Sequence, residues 1–248
     1  MNNSIIVEHV SKAYGSEKVL KNVSMTCEPG KIYGIVGKNG SGKTVLFRTI
    51  CGFAKPDSGS VIVSGKEVGK ETDFPESLGM IIEHPGFLFA SSGFSNLRYL
   101  ARIKKKIGDD EIKETMRLVG LDWRLKKWVG RYSMGMRQRL GIAQAIMEDP
   151  DIIILDEPMN GLDASGVSDI RRLLLKLKEE GKTILLASHN EEDIRVLCDE
   201  VYKMEDGLLK KENRDLTREE WMRQYPSDAR GVWQTDRGLG SELYGSWR

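Results

Sequence analysis

The 248-residue chain is long enough for one large α/β domain or two small ones with a sizeable core, and its 38 basic and 37 acidic side chains leave a formal net charge of +1. So even a balance gives no overall electrostatic footprint for DNA or RNA. Three scattered cysteines, Cys27, Cys51 and Cys198, are too few for a disulfide framework or a metal site and fit a reducing, cytoplasmic setting. Met1 to Val10 has no basic segment leading into an apolar core, and no run approaches the roughly 18 apolar residues of a membrane helix, so the expected chain is neither exported nor membrane-spanning.

Ser4–Val10 and Val19–Cys27 read as strands, the second with Val23, Met25 and Cys27 alternating against polar neighbours. Tyr14-Gly15 lies between them, and Tyr14 is either a strand-end tyrosine or a ring placed to stack on a nucleotide base. The apolar run Ile32–Val36 leads directly into Gly37-Lys38-Asn39-Gly40-Ser41-Gly42-Lys43-Thr44, which fits Gly, four residues, Gly, Lys, Ser/Thr. Strand, loop and helix in that order make a phosphate cradle: the glycines reach positive φ and let backbone N–H groups turn inward onto an anion. Lys43 is placed to reach the β- and γ-phosphates, the Thr44 hydroxyl to hold Mg²⁺, and the helix through Val45, Leu46 and Ile50 to add its dipole.

Lys55-Pro56-Asp57-Ser58-Gly59 and Ser64-Gly65 are turns flanking Val61–Val63. Leu78–Ile82 is another buried strand, ending at Glu83-His84-Pro85-Gly86, where a carboxylate at a strand exit sits in a loop able to face a ligand. From Phe87 to about Lys127 the pattern turns helical, with Ile112, Thr115, Met116 and Val119 at i, i+3, i+4 and i+7, and Lys104-Lys105-Lys106 as a solvated face. Ser133 is an N-cap for a second helix carrying Met136, Leu140, Ala143 and Met147. Asp151–Leu155 is apolar on consecutive positions, as in a parallel strand covered on both faces, and delivers Asp156 and Glu157 at the end where open α/β sheets bind ligands. Ile170, Leu173, Leu174 and Leu177 form a helix stopped by Gly181, Thr183–Ala187 is the next strand and ends at Ser188-His189, and Val201–Met204 with Leu208–Lys210 form a hairpin about Asp206-Gly207. Beyond Glu212, Leu216, Thr217, Glu220 and Trp221 match a staple and capping box for a short helix from Arg218, followed by an aperiodic, flexible tail.

These motifs together resemble the nucleotide-binding subunit of an ATP-binding cassette (ABC) transporter over about Ser4–Lys211. The deciding stretch is Tyr132-Ser133-Met134-Gly135-Met136-Arg137-Gln138-Arg139, similar to that family's signature sequence, between the phosphate loop and the Ile152–Glu157 strand, with Asn160-Gly161-Leu162-Asp163 and Ser188-His189 following in order. The resemblance implies an α/β fold: a RecA-like P-loop NTPase core with an antiparallel β subdomain and an α-helical subdomain over about residues 87–150. The cassette would span residues 1–212, and residues 213–248 would be a C-terminal extension.

It also implies ATP and Mg²⁺ as ligands and assigns roles. Lys43 and the loop residues Gly37, Asn39, Gly40, Ser41 and Gly42 would hold the phosphates; Thr44, Asp156 and Glu83 would face Mg²⁺. Glu157 would polarise the attacking water, His189 would contact the γ-phosphate, Asp163 would link two sites across a dimer, and Tyr14 would stack on adenine. Ser133 and Gly135 would bind the γ-phosphate held by a second cassette, with a helix N-terminus aimed at the anion. Two cassettes, a homodimer being expected, would then drive an integral membrane permease. No nucleic acid partner is expected, and the protein would be cytoplasmic, peripheral on the inner face of the cell membrane through its permease.

Two departures refine the resemblance. Tyr132, Met134 and Met136 replace three of the five signature positions, and Glu83 stands where most of the family has glutamine. The run Ile82-Glu83-His84-Pro85-Gly86 looks like the bacitracin-resistance and lantibiotic self-protection branch, which points to a peptide antibiotic. A soluble ABC ATPase acting on ribosomes or nucleic acid is the competing reading, though such proteins usually carry a second cassette or a long coiled-coil insertion.

Overall fold

The computed structural model describes residues 4–83 and 85–212. The helix expected from Arg218 and the tail after it lie outside the described residues.

Two antiparallel strands, β1 (Ile5–Tyr14) and β2 (Glu17–Cys27), pair through Tyr14↔Glu17, so β1 runs four residues past the stretch expected from sequence. The extra length comes through register shifts between Val7 and Ala13, bulges that hide the period-2 pattern. β3 (Ile32–Val36) enters the phosphate loop and α1 (Lys43–Ile50); β4 (Ser58–Val63) returns antiparallel to β1, with β5 (Lys66–Glu67) at its side, giving a sheet ordered β2-β1-β4-β5.

After β6 (Leu78–Ile81) the helical stretch is two helices, α2 (Gly93–Lys104) and α3 (Asp109–Leu118). The near-continuous helical pattern from Phe87 to Lys127 is broken because Lys105 caps α2 in the left-handed region and Gly120, at φ +73°, ends α3. A single 3₁₀ turn, Val129–Arg131, leads to α4 (Met134–Ile146), whose N-cap Ser133 accepts a hydrogen bond from the Met136 N–H as expected.

The remaining elements are β7 (Ile152–Asp156), α5 (Ala164–Glu179), β8 (Thr183–Ala187), α6 (Glu191–Leu197), β9 (Glu200–Glu205) and β10 (Leu208–Lys211). They complete a second sheet ordered β10-β9-β3-β8-β7-β6, parallel except for β10. Asp206 and Gly207 both take positive φ, the two-residue turn that suits a hairpin.

Both faces of this sheet are buried, and alternate residues of each strand serve different cores. Ile152 and Ile154 of β7 join Leu185 and Ala187 of β8 against α1 and the antiparallel sheet; Ile153 and Leu155 join Ile184 and Leu186 against the helices on the opposite face. Ile112, Thr115, Met116 and Val119, the stripe seen in sequence, are all buried. Among the described residues no helix is long and apolar enough to cross a membrane.

Candidate nucleotide site

β3, β7 and β8 end side by side, and their exits bring the phosphate loop, Asp156-Glu157 and Ser188-His189 to one edge of the sheet. The loop is shaped by glycine: Gly37 sits at φ +155°, where a Cβ would lie 2.2 Å from the Met204 carbonyl oxygen. Any side chain there would push the loop off the β9–β10 hairpin. Lys43 is buried beneath the loop, its Nζ donating to the carbonyls of Gly37 (2.6 Å) and Lys38 (3.1 Å). An ammonium so placed is largely desolvated, and its two hydrogen bonds go to loop carbonyls. Ser41 Oγ is the buried side-chain oxygen without a hydrogen-bond partner among the described residues. An unpaired buried hydroxyl in a loop of this shape is a group waiting for a ligand.

A cavity of about 470 Å³ opens over the loop. Asn39, Gly40, Gly42, Lys43 and Thr44 form one wall, Glu83, Asp156 and Glu157 another. The Thr44 hydroxyl donates to Asp156 Oδ2 at 2.9 Å. Burial pushes the Asp156 carboxyl above the ordinary aspartate range; the Thr44 bond pulls it back, Glu157 pushes it up, the Lys43 charge lowers it, and Glu83 raises it. The folded state therefore favours the neutral acid, so the stabilisation from this group is present at low pH and lost as the pH rises through the folded value. At neutral pH its charge is a cost to the empty site. Asp156→Asn, which keeps an acceptor for Thr44, is expected to raise the melting temperature without nucleotide at neutral pH. A fall in melting temperature would refute that charge imbalance.

Glu157 and Glu83 both adopt left-handed backbone, at φ +52° and +60°. Such conformations cost on the order of 1 kcal/mol or more for these residue types and persist where the surroundings fix them, often at functional sites. In Glu157 the turn aims the carboxylate at His189, with Oε2 2.8 Å from Nδ1. In Glu83 it turns the side chain to Arg48 on α1, Oε1 2.9 Å from Nη2.

The other residues singled out in the sequence lie around this cavity rather than in its walls. Tyr14 is half-exposed at the end of β1 with the Lys12 ammonium 5.5 Å from its ring centre. Asp163 is the N-cap of α5, its carboxyl held below the ordinary range by the Ser165 hydroxyl and the Gly166 N–H. Ser133 caps α4, and Gly135 packs so near the next turn that a Cβ would come 2.8 Å from the Gly161 carbonyl. Sequence reading missed Met134 and Gln138 as cavity walls, although Gln138 donates to the Glu157 carbonyl at 3.3 Å. It also missed Arg48, whose position one turn beyond Thr44 on α1 was the available signal.

Comparison with known proteins agrees with this geometry. Residues 20–160 match the family model described as ABC transporter. An uncharacterised ABC transporter ATP-binding protein of Bacillus subtilis is 43% identical over 83% of this chain and 94% of its own length. The bacitracin transport ATP-binding protein of Bacillus licheniformis is 38% identical over 86% of this chain and 70% of its own, and a lantibiotic transport ATP-binding protein of Streptococcus pyogenes is 33% identical over 83% and 90%. Among solved structures, a dimeric bacterial ABC transporter cassette superposes with a TM-score of 0.76 at 26% identity, covering 84% of this chain and 98% of that one. With the family model covering more than half its length and these relatives aligned along most of it, the chain belongs to the ABC transporter family as an ATP-binding cassette.

Proposed function

We propose that this cassette hydrolyses ATP as the motor of a membrane permease that exports, or protects against, a peptide antibiotic. The observation that supports the catalytic part is the Glu157–His189 pair, 2.8 Å apart, at the strand ends beside Lys43, Thr44 and Asp156. Glu157 takes the proton of the attacking water as its oxygen bonds to the γ-phosphorus and the bond to the β-phosphate oxygen breaks, giving ADP and phosphate. His189 Nδ1–H donates to the Glu157 carboxylate and fixes its direction, and the other ring nitrogen would contact the γ-phosphate. Lys43, freed from the Gly37 and Lys38 carbonyls, balances charge on the β- and γ-phosphates. The inward N–H groups of Gly37 to Gly42 hold the rest, and Tyr14 stacks on the base.

The donor set fits Mg²⁺. The Thr44 hydroxyl and the Asp156 carboxylate are hard oxygens 2.9 Å apart, the Asp156 charge is poorly offset, and Mg²⁺ in such sites uses one or two protein ligands with substrate phosphates and water. Thr44 and Asp156 would hold the ion, which would supply positive charge against that developing on the transferred phosphoryl group. Glu83 is a third oxygen on the same cavity.

The second cassette is drawn from the same chain. Ser133 and Gly135 begin α4, and their N–H groups and dipole suit an anion presented from outside. Asp163, two residues beyond the Gly161 carbonyl that Gly135 packs near, would cross to the partner site. The peptide-antibiotic cargo is inferred from the bacitracin and lantibiotic transport relatives and from Glu83. Expression of the cassette with the membrane protein that co-purifies with it, followed by bacitracin and lantibiotic survival assays, tests the cargo; unchanged sensitivity to both removes it. Co-purification of RNA instead of a membrane protein would remove the transport role.

Glu83→Ala is expected to leave ATP affinity within about twofold of wild type and to lose resistance while ATPase activity persists. The exposed Arg48–Glu83 pair stabilises the fold by about 0–1 kcal/mol at most, so Arg48 releases Glu83 readily. Glu83→Gln, keeping shape and hydrogen bonding, should be only partly impaired. Wild-type resistance together with wild-type turnover in Glu83→Ala would leave Glu83 an idle surface carboxylate.

A further inference from the structure

Among the described residues Asp193, on the first turn of α6, is the acidic side chain wholly closed off from solvent. Its Oδ1 accepts from Arg171 Nε at 2.8 Å and Nη2 at 2.6 Å; its Oδ2 accepts from the Ser188 hydroxyl at 3.3 Å. Ser188, itself buried, also accepts from the Asn190 N–H at 3.0 Å, and the Asn190 side chain caps α6 by accepting from the N–H groups of Glu192 and Asp193. The two residues flanking His189 are thus tied, directly or through one hydroxyl, to a single buried carboxylate. Arg171 further bonds Glu192 at 3.0 Å and thereby holds that carboxyl below its ordinary range.

The His189 side chain, by contrast, is 67% exposed, with Glu157 as its partner at Nδ1. A ring so little packed takes its aim from the backbone that carries it. A buried ion pair is a poor way to stabilise a fold, because desolvating both charges consumes most of their attraction and apolar replacements often do as well. It is a good way to fix a direction, since two guanidinium nitrogens hold Oδ1 and leave Oδ2 turned to the Ser188 hydroxyl.

We infer that Asp193 and Arg171 are positioning residues for His189: the pair fixes Ser188 and Asn190, and through them the direction of the imidazole toward Glu157. This rests on the role given to His189 above. Arg171 lies on α5, whose N-cap is Asp163, so one helix joins the turn expected to cross the dimer to the turn that carries His189.

Imidazole ¹⁵N NMR of the full chain tests this independently of turnover. The chain has three histidines, and His189→Ala assigns the signals of His189. Donation to Glu157 selects the Nδ1–H tautomer, so the two ring nitrogens of wild-type His189 should resonate far apart. In Ser188→Ala and Asp193→Asn they should converge toward the averaged value of a free ring, while turnover falls about tenfold or more, as when the residues behind an active group are removed. The KM for ATP and the ATP affinity should stay within twofold. Separated, wild-type ¹⁵N signals in both variants would overturn the inference whatever their turnover. Should Asp193→Asn fail to fold, Ser188→Ala decides, since it deletes one oxygen. Wild-type turnover in His189→Ala would instead defeat the reading of His189, and the ¹⁵N result would still say whether the ion pair aims the ring.

Discussion

Glu157→Gln is expected to lower steady-state ATP turnover by about 10²–10⁴, the usual contribution of a positioned general base, while ATP binds at least as tightly as in wild type. Glutamine keeps the length and the hydrogen bond to His189 Nδ1, now 2.8 Å in length, so the site's shape survives. It removes one negative charge from a cavity that also holds Asp156 and Glu83 and must receive a triphosphate. The bound nucleotide is then trapped, and a dimer should accumulate on sizing with ATP. A monomer under those conditions, with nucleotide binding intact, would overturn the model of two cassettes closing on ATP.

Lys43→Ala is expected to abolish measurable ATP binding at ordinary concentrations. Hydrogen bonds to charged groups contribute about 1.5–3 kcal/mol each, and Lys43 serves more than one phosphate oxygen, so affinity should fall by roughly 10²–10⁴. Without nucleotide the effect on stability should be small. The desolvated ammonium is offset by two loop carbonyls, and its removal opens those carbonyls to the water of the cavity. Wild-type protein should gain thermal stability with ATP as RT ln(1 + [ATP]/Kd), and Lys43→Ala should gain none. A large loss of melting temperature in the nucleotide-free variant would make Lys43 a structural residue.

The parts of the site that could be read from sequence are those whose geometry is local. Gly37 to Thr44, the Ser133 cap and the Asp156-Glu157 strand exit each need only a few adjacent residues, and each stands where the pattern put it. The Gly181 stop and the Asp206-Gly207 turn were legible for the same reason. Contacts that depend on distant partners were not. Arg48 meets Glu83 across 35 positions, and Arg171 meets Asp193 across 22. α6 has two turns and was missed, though Asn190 followed by Glu191, Glu192 and Asp193 is a helix start in which three acids meet the dipole. The left-handed backbone of Glu83 and Glu157 has no sequence signal, since neither residue type favours it.

The sheet order also dictates when, during synthesis, this protein can bind nucleotide. β3, which aims the phosphate loop, has β8 and β9 as its neighbours, and its Ile35 pairs with Ala187 about 150 positions downstream. A loop of that length must close before β3 gains either neighbour, and such distant pairings make folding slow. An emerging chain therefore displays the Ile32–Val36 segment without its paired strands until Thr183–Glu205 has left the ribosome. ATP capture is then expected to come late, and slow formation of the β9–β10 hairpin would prolong the interval in which an apolar strand is open to chaperones or to aggregation.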